Sequence, residues 1–415
     1  MIRPLYKTRL GALALLAVCV APVSAKEYIP MYNFSLQGGQ YFFTGSKTNL
    51  NANMAANVTP AVKLDNGWTL LPIYSGIYRG TKGVNDSVGA GTLFQQMMSH
   101  RVSISGLRQV QDWKVKPSFS YKHEFLKETV DESWTKGLFD YQKIGVGVEG
   151  EKVYKDPFSV RMGYDFYYIR FPNFQSLESK SGFDPSGNPL GRETAGTRVL
   201  DTFNNQFTVA ATRPYPYDDP KVSLQASYSF LLQMFADQPI INSAGQPQSG
   251  NRRDFNQSLN LSVMYPRELK GGDYRLNSGF QFGFTHNGSN QNTYDAGQTR
   301  FIFDTYSYTS ISMGPSVGLS WDDPKKPATA GASFLYSRTQ YNGRLTQNPS
   351  GVYQGDSQTQ SRYLLSLGYG YPIAPNFRLT AQTNFLWADS NMNYEKTYKY
   401  TYNAATYLLG FVYDY

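Results

Sequence analysis

The last nine residues of the chain read YLLGFVYDY, from Tyr407 to Tyr415. Bulky apolar or aromatic side chains stand at every second position, namely Tyr407, Leu409, Phe411, Tyr413 and Tyr415. A period of two is that of a β-strand with one oily face. The mean hydropathy of the whole chain is only −0.45. The ending therefore predicts a strand that meets an apolar environment on one face and a wetter one on the other.

The same alternation recurs along the chain. Windows of about ten residues, the length that a tilted strand needs to cross a bilayer, lie at 158–168, 222–232, 255–265, 363–371 and 377–387. We predict an all-β fold, a closed antiparallel transmembrane β-barrel of about sixteen strands, an even number as in bacterial barrels. The alternation slips in the first, third and fourth strands, which predicts a bulge there. The strand centres are Gln37, Asn57, Tyr74, Ser103, Phe119, Gly145, Tyr164, Phe207, Tyr228, Leu261, Phe280, Met313, Phe334, Leu367, Thr383 and Leu409.

The connections between these windows alternate in length. Short connections rich in turn residues follow the even-numbered strands, at 65–67, 111–112, 155–157, 218–220, 270–273, 322–327 and 374–376. Longer ones follow most odd-numbered strands, at 172–197, 237–253, 286–299 and 342–358. Short periplasmic turns and long external loops are typical of outer-membrane barrels. We interpret 172–197 as an external loop, and as the best candidate for an inward-folded constriction or a receptor-binding lid.

Residues 1–25 have the features of a secretory signal peptide. The basic residues Arg3, Lys7 and Arg9 precede an apolar stretch over 10–20, and Val23-Ser24-Ala25 forms a cleavage site. We therefore predict that residues 26–415 form the mature protein, a single barrel domain. The only cysteine lies within the signal, so neither disulfides nor thiolate metal sites are expected in the mature chain.

Composition agrees with an exported barrel. The chain has 33 Tyr, 26 Phe and 37 Gly, as expected for an all-β protein with aromatic girdles. No run of 18 apolar residues follows the signal, which excludes a helical membrane protein. The net charge of +8 includes three bases of the signal, and such mild basicity predicts no nucleic-acid partner for an exported protein.

The ending resembles that of bacterial outer-membrane β-barrels of the porin-like class. Gly410, Tyr413 and Tyr415 are similar to the C-terminal signal by which such barrels are recognised for insertion, although members usually end in Phe or Trp. The resemblance implies the outer membrane of a Gram-negative-type bacterium, contact with its lipid, and the barrel-assembly machinery as a partner. The final strands are also similar to barrels of exopolysaccharide export and surface-lipoprotein assembly. Those barrels follow helical-repeat domains, so here a separate periplasmic partner would supply that part.

Side chains on the other face of each strand are predicted to line the lumen. They are mostly Ser, Thr, Asn, Gln and Gly, with scattered charges. One interpretation is a solvated wall, and the other is a basic lumen that favours anionic or sugar-like solutes. The candidate lumen-lining residues are Lys114, Lys116, Lys122, Lys143, Arg161, Arg275, Arg362, Arg378, Glu124 and Asp165.

Candidates for chemistry are few. The chain has three histidines, and His286 with Ser289 could resemble a hydrolase pair, but no acid completes a triad. No grouped histidines or carboxylates have metal-ligand spacing, so neither a metal nor another cofactor is expected. A plug domain would have to fit before the first strand, within 26–32, which is too short.

The sequence thus predicts a passive outer-membrane channel or export conduit for polar solutes or glycans, not an enzyme. A first alternative is an occluded barrel whose external loops bind or assemble a partner. A second alternative is an outer-membrane hydrolase.

The terminal motif generates a test. Deleting Tyr415 removes apolar area worth about 1–3 kcal/mol, which is too little to unfold a large barrel. If the motif is an insertion signal, the deletion should nevertheless strongly reduce the assembled, heat-modifiable protein in the membrane fraction. Tyr369→Ser, in a strand without the motif, is the control. Equal losses in both variants would mean that Tyr415 contributes only strand packing.

Overall fold

A computed structural model shows one closed antiparallel barrel of 16 strands. Each strand pairs with its neighbours in sequence, and the last pairs with the first. The strands are β1 (Tyr32–Phe43), β2 (Asn49–Val58), β3 (Trp68–Arg79), β4 (Gln96–Val110), β5 (Trp113–Lys127), β6 (Tyr141–Val153), β7 (Ser159–Arg170), β8 (Thr202–Tyr215), β9 (Val222–Ile241), β10 (Pro247–Leu269), β11 (Tyr274–Ser289), β12 (Tyr308–Trp321), β13 (Ala328–Gln347), β14 (Tyr353–Ala374), β15 (Phe377–Ser390) and β16 (Tyr402–Asp414). Each predicted centre lies within one of these strands, so the predicted fold class is confirmed.

The structure describes residues 25–44, 49–81, 83–85, 92–129, 131–154, 158–175, 182–183, 189–190, 196–215, 222–295, 297–322, 327–395 and 399–415. The predicted signal peptide lies outside these residues except for Ala25. Within the described ranges, no helix is long and apolar enough to span a membrane. The secondary structure outside the barrel is a 3₁₀ turn at Lys270–Gly272 and short strand pairs in the loops.

The first hairpin extends beyond the barrel strands. Ala25–Ile29 pairs with Ala61–Leu64. The first segment precedes β1 and is separated from it at Pro30, and the second follows β2 and is separated from it at Pro60. The slip expected in the first strand is thus a break at a proline, which cannot donate to the ladder. The bulge expected in β3 and β4 is wrong, because these two strands pair in continuous register. Their alternation is hidden by apolar side chains on the inward face, such as Leu71 and Ile73.

Two glycines allow β1 and β16 to close the barrel. A Cβ on Gly410 would lie 1.9 Å from the carbonyl oxygen of Leu36, and one on Gly39 would lie 1.8 Å from that of Tyr407. Such separations are far inside van der Waals contact, so only glycine fits at either position. The glycine of the terminal motif therefore has a steric role in closure.

Aromatic side chains pack along the same junction. Tyr32 and Tyr415 exchange backbone hydrogen bonds of 2.8 and 2.9 Å, and their rings stack at 4.6 Å. The Tyr32 ring also lies 6.1 Å from that of Tyr413. Both tyrosines of the motif thus contact the first strand.

The outward faces carry the predicted apolar residues. Leu409 is 70% exposed and Leu261 is 40% exposed, and the outward positions of the other strands repeat this pattern. The inward neighbour Leu408 is 4% exposed. Large contiguous apolar surfaces are rare on soluble monomers. Because the sheet is closed and its outside is oily, the barrel is suited to lie in lipid.

The two ends of the barrel differ as predicted. The short-turn end includes the described turns at 65–67, 111–112, 270–273 and 375–376, and Gly67 has the positive φ that its tight turn requires. The predicted turns 155–157 and 218–220 lie outside the described residues. The long-loop end carries the connections 128–140, 171–201 and 290–307.

Two predicted long loops are mostly strand, which corrects the sequence interpretation of 237–253 and 342–358. Strands β9 and β10 continue to a turn at 242–246, and β13 and β14 continue to a turn at 348–352. In each turn the side-chain oxygen of an asparagine, Asn242 or Asn348, accepts two backbone N–H groups, and a glycine with positive φ follows. These local turns allow the strands to extend past the apolar belt.

Closure at the junction can be tested with a matched pair of glycines. Gly410→Ala should strongly reduce the assembled barrel, because the new methyl group would overlap the Leu36 carbonyl. Gly368→Ala should have little effect, since nothing lies within 4 Å of a Cβ at that position. Heat-modifiable gel migration of membrane fractions measures the outcome. Normal assembly of the Gly410→Ala variant would show that the junction tolerates a side chain.

The two faces can be tested on neighbouring residues of β10. Leu261→Arg should destabilise the barrel by about 2–4 kcal/mol, because a charge near the bilayer midplane must leave water. Ser262 points into the lumen, so Ser262→Arg should be tolerated. Reversible urea unfolding in lipid vesicles gives both values, and similar losses would mean that the assignment of faces is wrong.

Candidate functional site: the charged walls of the lumen

Three basic residues form a cross-strand row on β4, β5 and β6. Arg101 is opposite Lys122, and Lys122 is opposite Lys143. All three lie on the inward face, in the half of the barrel nearer the long-loop end. Like charges directly opposite each other on neighbouring strands are destabilising. This arrangement, the basic row, is therefore costly for the barrel unless an anion is near.

The members of the basic row differ in their contacts. Lys122 pairs with Glu124 at 2.5 Å and donates to the Tyr141 hydroxyl at 2.7 Å. Lys143 lies 3.4 Å from the centre of the Tyr167 ring. Among the described residues, no carboxylate oxygen lies within 4.0 Å of the cationic groups of Arg101 or Lys143. Two of the three positive charges are therefore available to a solute.

The row borders a cavity of about 360 Å³. Three basic side chains and one acidic side chain, that of Asp165, line it, together with serines and Gln206. A water-filled recess with an excess of positive charge is a favourable place for an anion.

Charges nearer the short-turn end are balanced. Lys116 pairs with Glu149 and Glu151 at 2.8 Å each. Arg161 lies opposite Glu151, and so does Lys114. The cavity lined by Lys116 and Arg161 also includes Glu149 and Asp165. The predicted lumen charges therefore do not form one basic lining, and the positive excess of this wall is local to the basic row.

Two predicted bases lie at the rim of the short-turn end. Arg275 pairs with Glu268 at 3.6 Å, and Arg378 pairs with Asp414 at 3.3 Å. Arg362, by contrast, lines a cavity on the far wall of the barrel. The predicted lumen-lining residues therefore do not form a single site in the structure.

Sequence reasoning missed three arginines that line the lumen. Arg101 lies in β4, where the slipped alternation concealed its face. Arg252 and Arg344 lie in segments that were interpreted as loops but are extensions of β10 and β13. The signal that could have identified them is the Asn-x-x-Gly pattern of the turns at 242–246 and 348–352, which allows strands to continue to either side.

An apolar cluster lies between the basic row and the long-loop end, next to the end of β5. Leu126, Phe139, Phe174, Val199 and Leu200 are its buried members. Leu126 is on the inward face of β5, and the others belong to the loops 128–140 and 171–201. The described parts of these loops therefore pack inward, and much of the predicted loop 172–197 lies outside the described residues.

Two buried carboxylates attach these loops to the barrel. Asp140 accepts the N–H of Leu126 at 2.8 Å, and Asp201 accepts that of Phe171 at 2.8 Å. Burial raises the pKa of Asp140, against the lowering effect of hydrogen bonds from the N–H groups of Leu126 and Gly137. Each carboxylate thus satisfies backbone donors that the inward-packed loops would otherwise bury unpaired.

The structure does not bring the predicted hydrolase pair, His286 and Ser289, together. His286 is on the outward face of β11, where its Nδ1 lies 3.2 Å from the Thr309 hydroxyl oxygen. Ser289 is on the opposite face, and its hydroxyl oxygen accepts the N–H of Gln291. Within the described residues, no group of three or more His, Cys, Asp or Glu is placed to hold a metal ion.

The sheet is closed, its exterior is apolar and its interior is polar. The architecture is that of a closed, 16-stranded antiparallel β-barrel. No family model and no curated protein matches the sequence.

Among solved structures, outer-membrane proteins match this chain with low similarity. Pseudomonas putida OprB matches with a TM-score of 0.48 and 12% identity, over 98% of this chain and 96% of its own. The anion-selective porin of Comamonas acidovorans matches with a TM-score of 0.45 and 10% identity, over 94% and 100%. A bacterial polysaccharide outer membrane secretin matches with a TM-score of 0.44 and 9% identity, over 93% and 98%. Because similarity is so low, the functions in these names are not transferred to this chain.

Proposed function

We propose that this protein is a passive outer-membrane channel for small polar solutes and that it favours anions. The barrel lies in the outer membrane, where the barrel-assembly machinery inserts it and where its short-turn end faces the periplasm. It performs no covalent chemistry, since a passive channel needs only an aqueous path and an electrostatic field that acts on the solute.

The basic row carries the proposal. Its three cations lie side by side on the lumen wall, and Arg101 and Lys143 have no carboxylate neighbour within 4.0 Å among the described residues. In a narrow aqueous passage with low-dielectric walls, such charges attract anions and repel cations. The paired charges around Lys116 contribute little to that field.

The Tyr141 and Tyr167 rings support passage of organic anions as well as inorganic ones. Lys122 lies 5.1 Å from the centre of the Tyr141 ring, and Lys143 lies over Tyr167. These rings hold the ammonium groups in place without neutralising them. A carboxylate or phosphate solute can then exchange its hydration for Arg101, Lys143 and the nearby serine hydroxyl groups.

A second candidate function is an occluded barrel whose loops bind a partner. The apolar cluster of Leu126, Phe139, Phe174, Val199 and Leu200 favours it, because it holds two loops inward at the long-loop end. Planar-bilayer recording separates the two candidates, since an occluded barrel passes no steady current.

Removing the unpaired members of the row should change ion selectivity. At about 8 Å each charge contributes on the order of 0.5 kcal/mol in water-like surroundings, and salt screens part of it. Arg101→Gln with Lys143→Gln should therefore lower the anion-to-cation permeability ratio roughly three- to tenfold. The ratio is obtained from the reversal potential of single channels in a KCl gradient.

Arg275→Gln with Arg378→Gln is the matched control. It removes the same number of positive charges, but from the exposed rim, so a smaller change is expected. Equal changes in the two double variants would contradict a localised anion site. A cation-selective wild-type channel would reject the proposed preference altogether.

A further inference from the structure

A second cavity, of about 380 Å³, lies on the far wall of the lumen from the basic row. Strands β9 to β14 form it, whereas the three cations of the basic row are on β4 to β6; the cavity beside the row extends over β7 and β8, which adjoin β9. Three arginines, Arg252, Arg344 and Arg362, and one aspartate, Asp254, line this cavity. It too has an excess of positive charge.

The arginines of this wall alternate with aromatic rings. The guanidinium of Arg252 lies between the rings of Phe235 and Tyr306, at 4.3 and 3.8 Å from their centres. Arg344 lies 3.9 Å from the centre of the Tyr341 ring and 5.9 Å from that of Tyr306. These five side chains form a continuous stack, here called the arginine–aromatic column. Stacking on rings fixes the plane of each guanidinium.

The 290–307 loop completes the column by docking on β13. The N–H of Asn342 donates to the Ser307 carbonyl at 2.9 Å, and that of Gly343 donates to the Asp304 carbonyl at 3.2 Å. A Cβ on Gly343 would lie 1.8 Å from the carbonyl oxygen of Phe303, so a glycine is required for this approach. Tyr306 is thereby held between the two arginines, inside the mouth of the barrel.

The two stacked arginines differ in their polar contacts. Arg252 donates to both oxygens of Asp254 and to the Gln238 side chain, so its charge is compensated. The Nη1 atom of Arg344 is buried and has no hydrogen-bond partner among the residues that the structure describes. A buried charged donor without an acceptor is expensive. Its position at a cavity therefore indicates an acceptor that a ligand brings.

We infer that this cavity binds an acidic sugar unit, a carboxylate carried on a polyhydroxylated ring, with the carboxylate on Arg344. The inference rests on the proposed channel function, because it names one solute class that enters the lumen. A planar guanidinium suits a planar carboxylate, which can accept two parallel N–H groups.

The remaining lining favours a hydroxylated ring over an aromatic one. Arg252 lies over one face of the Tyr306 ring and Arg344 over one face of the Tyr341 ring, so neither of these ring faces is available to an aromatic ligand. Hydroxyl and amide groups form much of the other surface, and they can pair with sugar hydroxyls as donors or acceptors. They include Asn256, Thr285, Ser310, Ser337, Thr339 and Gln360. A cavity of this volume accommodates one or two sugar rings.

Calorimetry on the detergent-solubilised full chain tests the inference directly. Sodium galacturonate is the probe, and galactose and sodium acetate separate the contributions of ring and charge. We expect galacturonate to bind about tenfold more tightly than either. R344K keeps the positive charge but loses the planar fork, and should weaken galacturonate binding about tenfold. Tyr341→Leu removes the stacking partner of Arg344 and should weaken it as well.

Variants are compared only where heat-modifiable migration shows a closed barrel. If R344K does not assemble, Tyr341→Leu is used in its place. Arg275→Gln, at the rim of the short-turn end and outside both cavities, is the control and should leave galacturonate binding unchanged. Equal binding of acetate and galacturonate, or unchanged binding in both cavity variants, would overturn the inference.

The two proposals fail in distinguishable ways. An anion-selective channel that does not bind galacturonate would reject the acidic-sugar site and leave the channel intact. Galacturonate binding by a barrel that passes no current would reject the passive channel and leave the site intact.

Discussion

Everything in this barrel depends on pairing the backbone of its last strand with that of its first. In hydrocarbon an unpaired N–H or C=O group costs several kcal/mol, so an open sheet is not viable. Gly39 and Gly410 permit the close approach of β1 and β16, and Tyr32 stacks on Tyr415 beside them. The C-terminal motif is therefore part of the closure itself, whatever further role it has in recognition during assembly.

Closure also places the side chains in two different environments, lipid on the outside of the barrel and water in the lumen. Outward positions must be apolar, so charge is confined to the inward faces and the ends. On those faces the charges are not spread evenly, since Lys116 is neutralised by two glutamates, whereas no described carboxylate oxygen lies within 4.0 Å of the cationic groups of Arg101 and Lys143. A wall that served solubility alone would not need three cations opposite one another on adjacent strands.

At the long-loop end, segments that are far apart in sequence pack against the wall of the basic row and against the wall of the arginine–aromatic column. The apolar cluster holds two loops inward next to the end of β5, and docking of 290–307 on Gly343 places Tyr306 between Arg252 and Arg344. Both arrangements leave a cation beside a cavity with its position fixed by aromatic rings. Two separate anion sites at different walls would let one passage accept solutes that differ in size and shape.

The sequence by itself determined the strand centres, the oily and wet faces, and most of the short turns, because a period of two and turn chemistry are local properties. It also located Lys122 and Lys143 on the inward face. Only the tertiary structure decided that Arg101 joins them in one row, that Glu149 and Glu151 neutralise Lys116, and that Tyr306 lies between Arg252 and Arg344. The physical reason is that cross-strand register, ring closure and loop docking join residues far apart in sequence, and alternation carries no information about which residues become opposite neighbours.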